Sequence, residues 1–316
     1  ERGLGGTGLV GQLKRGSGKR TLGLRADMDA LPIKESTGLK YASKNAGVMH
    51  ACGHDGHTAM LLAAAKALAE PGQFSGTLNL IFQPAEEYGT SDSGAVRMMD
   101  DGLFDKYPCD AIFAIHNMPG WPQGHLVFRE GAMMASSDKV YIDIKGHGGH
   151  GAMPHLAVDP VVAAASVVMA LQTVVSRNID PQQTAVVSVG VFQAGHANNV
   201  IPDSAHLELS VRALDNGVRQ QLQKRITEIV QAQAQSFSVT AEIDYRRGYA
   251  VLVNSKEETD FARQVGVELV GGEKVTLQGP AVTGSEDFAY MLEKRPGCYL
   301  LVGNGDGDKH GACMVH

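Results

Sequence analysis

The order of apolar and polar positions predicts two alternating regimes along the chain. Residues 21–25, 76–82 and 110–115 are short strand-like runs, and residues 58–69 (TAMLLAAAKALA) form a helix pattern rich in Ala and Leu. Such alternation predicts a mostly parallel sheet flanked by helices. The same style returns late, with helices over 261–270 and 285–293 and a strand over 298–302. Ser285 is placed to cap the second of these helices, with Glu286 and Asp287 in a first turn where the helix dipole favours negative charge.

Between these regions the period changes. Residues 139–145 alternate, with Val140, Ile142 and Ile144 on one side and Tyr141, Asp143 and Lys145 on the other. A long helix is predicted over 160–177, a strand over 184–192 and a second alternating strand over 205–214. A polar helix over 218–234 and a strand over 239–245 complete a β-α-β-β-α-β order, the ferredoxin-like arrangement. The fold class expected is therefore α/β: a mixed, mostly parallel sheet with flanking helices over 1–130 and 247–316, carrying an inserted ferredoxin-like α+β domain over 131–246. The length of 316 residues agrees with two domains.

Composition narrows the function class. The chain is 43% hydrophobic and 20% charged with a net charge of −6, and it has no basic block, so nucleic acid is excluded as an expected partner. The longest apolar run, residues 161–171, falls short of the roughly 18–20 residues that span a bilayer, and a buried helix is expected there instead of a membrane contact. Cys52, Cys109, Cys298 and Cys313 are too few for a disulfide framework and fit a reducing, cytoplasmic compartment. Without an initial Met, and stopping directly after a patterned segment, the sequence reads as incomplete at both ends.

Candidate chemistry gathers where such a fold is concave, past the carboxyl ends of the strands. The first strand runs into Arg25-Ala-Asp27-Met-Asp29, the second into Gln83-Pro-Ala-Glu86-Glu87, the third into His116-Asn117; Cys52-Gly-His54-Asp55 immediately precedes the Ala-rich helix. A lone buried Cys is more often structural. Within His50-Ala-Cys52-Gly-His54-Asp55-Gly-His57, however, polar groups are too dense for a core, and imidazole, thiolate and carboxylate together suit zinc, or manganese where carboxylate predominates. Not every histidine there can be a ligand; His50 and His57 read better as hydrogen-bond partners. The pair Glu86-Glu87 could be a solvated loop, or one carboxylate could hold metal while its neighbour takes the proton of an attacking water.

The stretches Arg25-Ala-Asp-Met-Asp-Ala-Leu-Pro32, His50 to His57, Gln83 to Glu87, Gly146-His-Gly-Gly-His-Gly-Ala-Met-Pro-His155 and Asn199-Val-Ile-Pro-Asp203 resemble the aminoacylase and hippurate-hydrolase group of metallo-amidohydrolases. That group includes plant auxin-conjugate hydrolases and is related to the glutamate carboxypeptidases. The resemblance spans nearly the whole chain. It implies that Cys52, His54, Glu87, His116 and His316 hold two divalent ions, manganese or zinc, with cobalt or nickel as further options. It makes Glu86 the general base and Asp27 an acid that orients a ligand. It gives His150 the scissile carbonyl oxygen in a partner subunit, hence a homodimer or higher homo-oligomer joined through the inserted domain. It gives Asn199 and Arg212 the substrate carboxylate, although Arg212 could instead form a surface ion pair with Glu208. Arg25 stands where the wider superfamily has a histidine ligand, so the division of ligands between the ions stays open; His147 and His155 read as structural.

The activity implied is hydrolysis of N-acyl-L-amino acids to a carboxylic acid and a free amino acid. Alternatives are a dipeptidase, an N-acetyl-diaminopimelate-type deacetylase, or a catalytically silent metal-binding protein. The run Gly303-Asn-Gly-Asp-Gly307 lacks the Lys-Ser/Thr and the helix of a phosphate loop.

Overall fold

A computed structural model describes residues 1–72 and 74–305. The chain divides into two compact units. The first comprises Glu1–Met133, Leu252–Ala281 and the described part of Glu286–His316; the second comprises Met134–Val251 with Val282–Ser285.

The first unit is built on an eight-stranded sheet in the order Arg2–Leu4, Gly8–Arg15, Gly76–Gln83, Thr21–Asp27, Ala111–Met118, Gly297–Gly303, Leu126–Val127, Val275–Thr276. The four central strands run parallel, and antiparallel partners flank them. Leu22, Leu24 and Ala26 belong to the apolar cluster that Leu61 of the helix His54–Ala69 joins, and Arg25, between them on the strand, meets Glu286 and Asp287. The helix Lys256–Val270 covers Phe128, Cys298 and Leu300 through Ala262. Register sets the polar ends level: Asp27 lies opposite Gln83 across one parallel pair, and His116 opposite Leu301 across another.

Two predicted elements shift. The helix expected from residue 58 starts at His54, because the left-handed Gly53 (φ 83°) turns the chain directly into it. The helix expected from Ser285 is the shorter Phe288–Leu292. Ser285 does not cap it; the carboxylates of Glu286 and Asp287 are buried against Arg25, and Glu286 Oε1 accepts the Phe288 N–H at 3.1 Å.

In the second unit a four-stranded antiparallel sheet, ordered Ala185–Ala194, Ser204–Ala213, Ser136–Lys145, Thr240–Arg247, packs one face on the helices Pro160–Asn178 and Asn216–Ser236. Val140, Ile142, Ile144, Leu207, Leu209 and Val211 fill that face, as alternation requires. The helix Pro160–Asn178, 19 residues with a mean hydropathy of 1.5, is long and apolar enough to cross a membrane. Here Ala163, Ala164, Val167, Leu171 and Val174 bury it on the sheet, while Val162 and Met169 on its other side are exposed. Its start is fixed by Asp159, whose carboxylate accepts the N–H groups of Val161 and Val162.

One charged pair interrupts this core. Asp138, buried, accepts from Arg219 Nε (3.1 Å), Tyr245 OH (3.0 Å) and Gly248 N–H (3.1 Å). Removing one partner of a buried ion pair strands the other, at a cost of roughly 3–5 kcal/mol. Asp138→Ala is therefore expected to lower the urea unfolding midpoint and to speed hydrogen exchange of the Ser136–Lys145 amides; unchanged exchange would refute this account.

Candidate metal centre

The site is assembled on the first unit by loops leaving adjacent parallel strands and by the first turn of the helix His54–Ala69. Cys52 Sγ lies 3.6 Å from His116 Nε2, and Cys52, His54 and His116, all buried, bring one donor atom each within 4.8 Å of one another. His54 forms a second such group with Glu86 and Glu87 and a third with Asp27 and His57. His54 is thus common to both halves of the cluster. The predicted residues Cys52, His54, His116, Glu86, Glu87 and Asp27 are therefore placed together. His316 lies outside the described residues.

The imidazoles are oriented from behind. His116 Nδ1 meets the Asn117 carbonyl at 2.5 Å, an acceptor only, so its proton sits there and Nε2 faces Cys52. His54 Nδ1 lies 3.1 Å from both the backbone carbonyl and the carboxylate of Asp29, so its proton is likewise fixed at Nδ1. His54 Nε2 is buried and has no hydrogen-bond partner among the described residues. Asp27 touches His57 Nδ1 (2.5 Å) and Arg25 (2.8 Å), with His54 Nε2 further off at 3.7 Å. His57 Nε2 in turn accepts the Asn117 N–H at 3.0 Å, while the Asn117 side chain donates to the Gly53 carbonyl. A Cβ at Gly53 would stand 2.4 Å from that amide.

Charge is concentrated here. Asp27, Asp29, Glu86, Glu87, Glu286 and Asp287 line the region, and Arg25 is the guanidinium that meets three of them, bonding Asp27 (2.8 Å), Glu286 (2.8 Å) and Asp287 (3.0 Å), with Gln83 as a neutral fourth partner (2.9 Å). Burial, and then the charges of Glu286, Asp287 and Asp27, push the Glu86 carboxyl well above its ordinary range. Asp287 is pushed up to about 7 by burial, against the pull of Arg25. Burial and the charges of Glu87 and Glu86 raise the Cys52 thiol. For His54 burial opposes charging, yet Asp29 and Asp27 outweigh it and bring it up to about 9. His116, buried beside His57, falls to about 4 and is a neutral imidazole. A soft thiol, neutral imidazole nitrogen and an excess of buried carboxylate form a donor set that fits divalent cations, and the lone His54 Nε2 points into it.

The pattern missed Asp29, Glu286 and Asp287. Asp29 was visible in the first motif, but its pairing with His54 spans 25 residues of loop that no periodicity encodes. Glu286 and Asp287 matched a helix start, so the buried Arg25 partnership was hidden by a plausible local role.

On the second unit His150 and Asn199 lie side by side: Gly149–His150 pairs with Val200–Ile201, and Gly151 N–H donates to Asn199 O at 2.8 Å. His150 Nδ1 accepts the Ala152 N–H at 3.1 Å, which leaves the ring proton on Nε2. Arg212 is half-buried and donates through Nη1 to Thr283 O (3.0 Å) and Ser285 Oγ (3.4 Å). Glu208 lies instead beside His206 Nε2 at 3.4 Å. His147 and His155 are exposed.

The sequence pattern of peptidase family M20/M25/M40 matches residues 23–313. The chain is 47% identical over 301 residues to a hippurate hydrolase of Campylobacter jejuni, covering 95% of this chain and 78% of that one. It is 40% identical over 307 residues to an N-acetyl-L-cysteine deacetylase of Bacillus subtilis, covering 96% and 72%. Among solved structures, a dinuclear metal-binding M20 peptidase of Bacillus subtilis superposes with a TM-score of 0.81 at 34% identity, covering 98% of this chain and 79% of that one. With the mixed α/β fold and the cation-demanding cluster described above, these likenesses establish that the chain belongs to the M20/M25/M40 peptidase family.

Proposed function

We propose that the chain hydrolyses the amide bond of N-acyl-L-amino acids, releasing a carboxylic acid and a free amino acid. One observation carries the reading: Cys52, His54, His116, Glu86 and Glu87 converge around a buried imidazole nitrogen with no hydrogen-bond partner among the described residues. In this reading Cys52, His54, Glu87 and His116, with His316, hold two divalent ions, manganese or zinc, with cobalt and nickel also compatible with the donors. Once bound, such ions polarise the scissile carbonyl and lower the pKa of water. Free, buried Cys52, Cys109 and Cys298 suit a reducing compartment such as the cytoplasm.

Glu86 is the base in this reading. It takes a proton from the attacking water and returns it to the departing nitrogen. Burial among other carboxylates raises its proton affinity, which suits a group that must hold the proton between the two transfers. His150 presents Nε2–H, the form able to donate to a carbonyl oxygen as negative charge grows on it. Assigning that oxygen to the partner subunit's substrate makes the working enzyme at least a homodimer. Arg212, anchored through Nη1, has the rest of its planar fork for a substrate carboxylate. Burial lowers its pKa and no acid among the described residues offsets that, so a bound carboxylate completes it. Asn199 is the second contact to that carboxylate.

Hippurate, N-acetyl-methionine, an indole-acetyl amino acid and a plain dipeptide distinguish the acyl groups. Turnover is expected to vanish on chelation and return with manganese, zinc, cobalt or nickel; metal-independent release of amino acid would refute the reading. Glu86→Gln is expected to lower kcat by roughly 10²–10⁴-fold while metal uptake stays at the wild-type level. Full activity in that variant would remove Glu86 from the mechanism. Arg212→Met is expected to raise KM by about 10–100-fold for substrates with a free carboxylate, matching the loss of a charged hydrogen-bond pair. Equal damage with carboxyl-amidated substrates would contradict the assignment.

A further inference from the structure

Two of the chain's segments that carry site residues, the helix start at His54 and the turn Glu86–Tyr88, have no backbone ladder between them, yet one side chain meets both. Asp29 Oδ1 lies 3.1 Å from His54 Nδ1, and Asp29 Oδ2 accepts the Glu87 N–H at 2.9 Å. Its side chain is largely buried, at 17% exposure, so both contacts are sheltered from competing water.

The turn needs such support. It is a single 3-10 turn preceded by Ala85 at φ 51°, a left-handed conformation rare for a residue with a Cβ. A carboxylate accepting the N–H at the start of the turn does what a capping residue does from within the chain. The same carboxylate, together with the Asp29 carbonyl at the same distance, meets His54 Nδ1 and so turns Nε2 towards the cluster.

We propose that Asp29 is a positioning residue that couples the two halves of the metal centre. One oxygen, beside the Asp29 carbonyl, orients the His54 ring through Nδ1, and the other fixes the peptide from which Glu86 and Glu87 project. This deepens the amidohydrolase reading above and rests on it. Asp27, in contrast, spends its carboxylate on Arg25 and His57.

Asp29→Ala and Asp29→Asn, made in the full chain, test this by zinc titration against a chromogenic chelator, with thermal unfolding measured on the metal-free proteins. The amide that Asp29→Asn introduces can accept from only one of the two donors and turns an N–H towards the other. Both variants are expected to fold and to bind zinc about 10–100-fold more weakly than wild type. At saturating metal, kcat is expected to fall with KM unchanged, because the Glu86 turn relaxes while the carboxylate contacts of the substrate do not. Wild-type zinc affinity in either variant overturns the inference, as does failure of both variants to fold, which would make Asp29 a support of the fold alone. Wild-type protein that takes up no zinc or manganese overturns the metal-centre reading itself, and is told apart because it appears before any substitution.

Discussion

Burying negative charge is the constraint on which this molecule turns. Carboxylates that gather away from water must be met by cations or take up protons. Arg25, buried in the central strand Thr21–Asp27, supplies one permanent cation to Asp27, Glu286 and Asp287. In doing so it ties the first strand of the parallel set to a segment more than 250 residues later in the chain. The remaining carboxylates, Glu86 and Glu87 beside His54, belong to the donor cluster that fits divalent cations. Fold and function share one electrostatic account: part is settled by a side chain at synthesis, and the rest by whatever cations the site acquires.

The second unit solves a smaller version of the same problem differently. Asp138 and Arg219 settle each other inside an apolar core, with Tyr245 and Gly248 completing the carboxylate's bonds. Nothing there calls for a further ion. A closed pair is structural, whereas an open excess invites chemistry.

The fold was legible wherever one period ran for several residues. The alternating strands Ser136–Lys145 and Ser204–Ala213, the long helices and the parallel core strands all stand close to where apolar spacing places them. The hairpin Arg2–Leu4 and Gly8–Arg15 was not legible, because its segment is interrupted by glycines and is fixed by pairing, Arg2–Leu4 on Gly8–Arg15 and Gly8–Arg15 on Gly76–Gln83. At the site, reading past the predicted strands singled out Glu86, Glu87 and His116, and the segment before the Ala-rich helix singled out Cys52 and His54, while the family resemblance supplied their roles. Spacing could not show that Glu286 and Asp287 turn inward, or that Arg212 reaches Thr283 and not Glu208, because those choices are made by partners distant in sequence.

The turn at Gly53 has a consequence of another kind. The Asn117 amide fills the space that any side chain at position 53 would need, and the backbone there is already left-handed. A side chain at position 53 has no clearance while Asn117 stays as it is. Replacing Gly53 therefore demands both a smaller residue at position 117 and a side chain that tolerates the left-handed backbone. The turn that carries Cys52 and the strand end that carries His116 are held to each other at this one joint, so a change made there is felt by both.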